Sequence, residues 1–359
     1  MSNSQKAFLD LVRLGIGVRS PEEVHIDSQI NWNEIQAIAD KQGLSAIVLD
    51  GLEKLPLDIK PPKVELLQWI GEVLQNEAVY ATQQRAAAEM ALLFKEKSIR
   101  TYVLKGEVIA ECYPRPEHRS SVDVDCYLLG EKEDVDAWTT GNKMVKAQGF
   151  EVDTDFYKNS TFFLPGLTVE NHRFLTPFRA DKRLKHLEIM LQAMLHEDKG
   201  EDWFEGTSLY RPPIMVTALF MIEHAYSHFL HEGLTWRQVL DWALFSRKHK
   251  NGIDWVAFDA LNEEFGFQLF YHTYNQLGNY LLGEIAEEEL NDQVKRMLDD
   301  VWADLDLNET NKGVKGKIAM AGNTIKARWK YKYFTDMTML YALWIRVKGF
   351  LFVRHPSLD

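Results

Sequence analysis

The chain has 359 residues, of which 46% are apolar and 26% charged, enough for about two folded domains and incompatible with disorder, collagen or low-complexity repeats. Its two cysteines, Cys112 and Cys126, exclude a disulfide framework and a four-cysteine zinc site, and both lie in apolar runs where buried thiols are expected. The net charge of −12 is uneven: from Asn311 onward ten Lys/Arg face only Asp336 and Asp359, so that tail is +8 and the remainder −20. A solvated basic helix face accounts for that tail, and so does a surface for an anionic partner such as nucleic acid or lipid headgroups. The start, MSNSQKAFLD, has no basic region followed by an apolar stretch, and no run of about 18 apolar residues occurs, so the expectation is a cytoplasmic chain without a membrane span.

The first hundred residues read as helices. Phe8, Leu9, Leu11, Val12 and Leu14 crowd one short amphipathic stretch. Asn31 or Asn33 can cap the next helix, which carries Ile35, Ile38, Ala39 and Leu44. Pro56, Pro61 and Pro62 break the chain, and a long helical pattern then runs from about Val64 to Lys97, striped by Leu66, Ile70, Val73, Tyr80, Ala87 and Leu92.

The middle changes character. Thr101–Leu104 is a short β-branched and aromatic run ending before Gly106. Val122–Leu128 alternates apolar and acidic residues with the period of a strand. Asp134–Ala147 reads as a helix, and 162–164 and 167–173 as two strands joined at Pro165-Gly166. After Ala180 helices return, near 184–195, 213–231, 235–249, 254–265, 269–282, 290–302, 314–329 and 336–353. The expected architecture is α+β: a small mixed sheet over 99–180 between helical regions at 1–98 and 181–359.

The unusual polar residues fall in that middle segment. Asp123 and Asp125, two apart in a strand, point to one face. Paired carboxylates repel and pay desolvation, a cost that a bound divalent cation reverses; Mg2+ prefers carboxylate and phosphate oxygens. Leu104-Lys105-Gly106 closes a short strand, where a glycine lets backbone approach a phosphate and a lysine adds a charge. Glu170 is an acid within an otherwise apolar strand and reaches the aspartates' face if the two strands are neighbours.

In this order Leu104-Lys-Gly106, Tyr113-Pro-Arg-Pro116, Arg119 and Asp123-Val-Asp125, followed by Glu170 and His172, resemble the uncharacterised branch of the DNA-polymerase-β-like nucleotidyltransferases. His224, His228, Leu234-Thr-Trp-Arg237, Asp241 and Ile253-Asp-Trp255 extend the likeness over most of the chain. The resemblance implies a small mixed sheet, an NTP donor and a pair of Mg2+ ions on Asp123, Asp125 and the third acid Glu170, which positions or deprotonates the attacking hydroxyl. It also implies that Lys105 and Gly106 face the triphosphate and that Arg119 contacts phosphate. Many relatives have glycine-serine where this chain has Gly106-Glu107, and the gap from Gly106 to Asp123 is longer than in the commonest pattern. The expected function is Mg2+-dependent transfer of a nucleoside monophosphate from an NTP to an acceptor hydroxyl or phosphate, with RNA or protein among the conceivable acceptors. The alternative is a non-catalytic nucleotide- or protein-binding module, which Glu107 favours.

Other residues have ordinary readings beside sharper ones. His224, His228 and His231 share one helix face, as a polar seam or as zinc ligands. Arg237 and Asp241 are spaced as a helix-surface ion pair, unless Arg237 faces a substrate cleft. Lys326–Tyr333 interleaves bases with aromatics, which suits nucleic acid and also ordinary packing with snorkelling lysines.

Overall fold

The computed structural model describes all residues except 28–29, 133–135, 205, 304–326, 353–355, 357 and 359. The lysines at 312–317, and residues 314–326 of the helix expected over 314–329, therefore lie outside the described residues.

Helices α1 (Asn3–Gly15), α2 (Trp32–Gln42) and α3 (Ser45–Glu53) precede the long α4 (Lys63–Lys95). The sheet-forming segment follows: β1 (Ile99–Val103), the single turn α5 (Glu107–Ala110), β2 (Val124–Gly130), α6 (Ala137–Ala147), β3 (Glu151–Asp153), β4 (Asn159–Leu164) and β5 (Leu167–His172). After α7 (Lys182–Glu197) come β6 (Glu201–Phe204) and β7 (Leu209–Arg211). The remaining helices are α8 (Ile214–His231), α9 (Trp236–Lys248), α10 (Trp255–Glu264), α11 (Gln268–Leu281), α12 (Asp292–Trp302), α13 (Arg328–Phe334) and α14 (Met339–Phe352).

The protein is 60% helical around a seven-stranded mixed sheet, the α+β fold expected from the sequence. The strand order is β3-β4-β5-β2-β1-β7-β6, with β2–β5 and β1–β7 parallel. Strands β6 and β7 carry the sheet past residue 180, where the sequence pattern placed its end. Helix α2 stops at Gly43, whose φ of 69° favours glycine, and a separate helix restarts at Ser45.

Period-two alternation assigns the two sheet faces. Val124, Cys126 and Leu128 of β2, with Leu167 and Val169 of β5, pack with Phe94 of α4 and Val145 of α6. Tyr127 and Leu129 join the larger core that α1, α3, α8, α9 and α11 share. Asp125 alternates with Val124 and Cys126 and shares the face of Tyr127. The stripe expected on α4 is only partly internal: Val73 and Ala87 are buried, whereas Leu92 is 47% exposed.

The N-terminal helices brace the site from behind. Asp50 of α3 and Glu77 of α4 grip the buried His118, at 2.7 Å from Nδ1 and 2.8 Å from Nε2, and Arg115 reaches both acids. Helix α1 packs on α3 through two glycines. A Cβ on Gly15 would stand 2.1 Å from the Ile47 carbonyl oxygen, and one on Gly51 2.2 Å from that of Leu11. Arg13 of α1, almost fully buried, donates to the carbonyls of Tyr280 (2.8 Å) and Leu281 (3.0 Å) where α11 ends. Gly51→Ala forces α1 and α3 apart and is expected to cost about 1–3 kcal/mol, measured by denaturant unfolding.

Candidate active site

A cavity of about 290 Å3 opens between the sheet face of β2 and helices α8 and α9. Lys105, Gly106, Arg119, Asp123, Asp125 and Arg237 line it. Asp123 sits one residue before β2, and its backbone carbonyl accepts from the Ser121 hydroxyl at 2.9 Å. Asp125 lies within β2, and the parallel register sets it directly beside Glu170 of β5. Glu170 thus reaches the aspartates' neighbourhood because β2 and β5 are adjacent. Donor atoms of Asp125, Glu170 and His172 lie within 4.8 Å of one another, whereas Asp123 stands outside that group while lining the same cavity.

The carboxyls differ in charge environment. Burial works against an ionised Asp125, but Lys105 and His172 outweigh it and hold this carboxyl well below the usual range. His172 Nε2 lies 2.9 Å from Oδ1 and, facing an ionised acid, carries the proton. Lys105 Nζ lies 3.1 Å from Oδ2, a charge contact without hydrogen-bond alignment, so Oδ2 is buried with no hydrogen bond. Burial and the neighbouring Asp125 push Asp123 and Glu170 up. Asp125 is therefore a fixed anion, and its two neighbours are carboxyls whose ionisation a cation would promote.

Lys105 also touches His224, Nζ to Nε2 at 3.1 Å. An ammonium only donates, so this imidazole accepts and is neutral, its pKa driven well down by burial and then by Lys105. His228 packs its ring on His224 and pairs with Glu232 at 2.6 Å. His231 turns back to the Ser227 carbonyl, 2.5 Å away. Only His224 thus reaches another element, while His228 and His231 bond to groups of their own helix or its end, and among the described residues the three make no metal-ligating group.

Arg119 and Asp241 overturn the expected pairing on α9. Arg119 Nε and Nη2 grip the two Asp241 oxygens at 2.8 Å each, and Tyr113 adds a hydroxyl donor at 2.7 Å. Arg237, spaced to pair with Asp241, instead enters the cavity and donates to the Ser120 carbonyl at 3.2 Å. Sequence reasoning gave Tyr113 no role and gave Lys105 no carboxylate; the quoted Tyr113-Pro-Arg-Pro116 motif was the available signal for the first. The base–aromatic run is not one exposed face. Lys330 is buried against Phe229 and bound to Asp300 at 2.6 Å, while Arg328 and Lys332 are exposed.

Gly106 has φ 69° and ψ −109°, a region open only to glycine, and a Cβ there would lie 3.3 Å from Ser121 Oγ. The helix behind it is a single turn, too short to present the helix-terminus field expected from the sequence.

Over residues 28–283 the chain matches the family described as uncharacterised nucleotidyltransferase. The chain belongs to that family. No curated protein and no solved structure matches it. The span matched by the nucleotidyltransferase family contains every residue named in the cavity. No helix among the described residues is long and apolar enough to cross a membrane.

Glu107, the residue that departs from many nucleotidyltransferases, does not face this cavity. It is fully buried with both oxygens lacking a hydrogen bond, and burial pushes its pKa up to about 7. It is thus largely neutral below that pH, which lessens its repulsion of a neighbouring phosphate. A carboxyl raised from 4.5 to about 7 favours the folded state when protonated, so its contribution falls as pH rises through that interval. Glu107→Gln should flatten the pH dependence of unfolding free energy between about pH 4.5 and 7 by about 3 kcal/mol, read from urea titrations at each pH.

Proposed function

We propose that the protein transfers a nucleoside monophosphate from an NTP to an acceptor hydroxyl or phosphate, with Mg2+ as cofactor. The observation that carries this reading is the adjacency of Asp125 and Glu170 on parallel neighbouring strands, with Asp125 lining a cavity that Asp123, Arg119 and Arg237 also line. The donor set fits the ion in its chemistry: the carboxylates of Asp125 and Glu170 offer hard oxygens close together, with the Lys105 ammonium against Asp125 Oδ2. Asp123, Asp125 and Glu170 would hold Mg2+, which when bound neutralises phosphate charge and orients the reacting oxygens. His172 is committed as a donor to Asp125 and holds that carboxylate's orientation.

The chain's own groups supply positioning and charge, which dominate phosphoryl and nucleotidyl transfer. The acceptor oxygen bonds to the α-phosphorus. The bond from that phosphorus to the oxygen bridging to the β-phosphate breaks, and pyrophosphate leaves with the electron pair. Where the acceptor is a hydroxyl, its proton passes to a Glu170 carboxylate oxygen, which burial and Asp125 make more basic than an ordinary carboxylate. Lys105 and the Gly106 turn face the phosphates on this reading.

A thermal shift with ATP, GTP, CTP and UTP, each with and without Mg2+, tests the donor site. One NTP at about a hundred times its dissociation constant should stabilise the protein by about 2.7 kcal/mol, only with Mg2+. Asp123→Asn should abolish that shift and lower transfer of labelled nucleotide by at least about a hundredfold while melting near the wild-type temperature. Full transfer by the variant, or no shift with any NTP in the wild type, overturns the reading.

A further inference from the structure

Three cations line the cavity, and two of them are already neutralised. Lys105 stands against Asp125, and the fork of Arg119 is filled by Asp241. Arg237 is the third. Its ordinary partner one turn along α9 is Asp241, whose oxygens are taken by Arg119 and the Tyr113 hydroxyl. Among the described residues Arg237 forms no salt bridge, and it donates to the Ser120 carbonyl, which carries no charge. Burial and the nearby Arg119 work against its charge, and Asp241, Tyr113 and Asp123 offset this only in part and without an ion-pair contact. A guanidinium has five donors and is not deprotonated in proteins, so leaving one in a partly enclosed cavity with no acid in contact is costly.

The side chain is also fixed in place. A Cβ on Gly43 would lie 3.0 Å from Arg237 Nε and 3.1 Å from its Cδ. The glycine that ends α2 therefore leaves just enough room for this arginine to pass, and its donors point onward into the cavity that Asp123 and Lys105 also line.

We infer that Arg237 is the receptor for the polyphosphate chain of the nucleotide, left free for it because Asp241 holds Arg119. This deepens the nucleotidyltransferase reading and rests on it. A rigid fork with no acid in contact matches the pairs of oxygens that a polyphosphate presents. Arg119 is by contrast a positioning residue: its donors to Asp241 fix α9 and with it the origin of Arg237.

Inorganic tripolyphosphate is the direct probe, because it carries no base and needs no transfer. Its affinity is measured by calorimetry without Mg2+ for wild type, Arg237→Gln and Arg237→Lys, beside the four NTPs with Mg2+ and the melting temperature of each ligand-free protein. The expected result is at least a tenfold weaker tripolyphosphate complex in Arg237→Gln, partial recovery in Arg237→Lys, and ligand-free Arg237→Gln melting no lower than wild type. That last readout separates an anion receptor from a structural arginine. Should Arg237→Gln melt lower, Arg237→Lys, which keeps charge and stem, decides: weaker binding at wild-type stability supports the inference. Wild-type NTP binding with undiminished affinity for tripolyphosphate in the folded variants overturns the role of Arg237 and leaves the donor site standing. Failure of wild type to bind tripolyphosphate or any NTP overturns both.

Discussion

The buried carboxylate of Asp241 governs the geometry around it. It accepts two hydrogen bonds from Arg119 and one from Tyr113, and all three residues are nearly inaccessible to solvent. A buried ion pair repays its desolvation only when its hydrogen-bonding capacity is met, and here it is. Tyr113 and Arg119 belong to the segment between β1 and β2, whereas Asp241 belongs to α9. The pair therefore fastens the sheet to the helices at the point where the cavity lies. Breaking it would leave a charge stranded on either side.

The opposite wall follows from strand register. The apolar alternation of β2 and β5 turns Val124, Cys126, Leu167 and Val169 toward α4 and α6. The intervening Asp125, Glu170 and His172 must then face the other way. A slip of one residue in the β2–β5 pairing would bring Asn171 or Val169 opposite Asp125, so the acidic cluster depends on the packing of the apolar face. Lys105, just past the end of β1, neutralises the most buried acid of that cluster, Asp125. Cys112 and Cys126 take no part: burial pushes both thiols up, to about 12 for Cys112, far from a reactive thiolate.

Much of this was readable in the sequence, and the failures have physical causes. The alternation in 122–128 and 167–173 was strong because one face of each strand is fully buried, and it placed Asp125 and Glu170 on strands. Strand β3 is three residues long and mostly exposed, and β6 is an exposed charged edge, so neither carries a buried-face pattern. The break between α2 and α3 rests on Gly43 alone within a continuous apolar stripe. The partner of Asp241 was misread because sequence spacing shows only local neighbours. Arg237 is one turn away, whereas Arg119 is 122 residues away and wins by geometry and burial. The inward turn of Glu107 was equally invisible, since residue order does not say which side of a one-turn helix faces the core. Cys126 is buried in β2 as its apolar neighbours suggested, Cys112 is only half-buried, and Asn31 caps α2 as expected.

Helix α1 lies before the span that the family match covers, yet it closes the molecule. Arg13 satisfies the last carbonyls of α11, and the paired glycines seat α1 on α3. From α3 the contact continues through Asp50 to His118, the residue next to Arg119. The recognisable motif span and the cooperative folding unit are consequently different objects. A fragment trimmed to residues 28–283 would uncover the α3 face and strand the carbonyls of Tyr280 and Leu281. Loss of the first helix would thus be felt first at Asp50 and His118, beside Arg119, and not at any residue that lines the cavity.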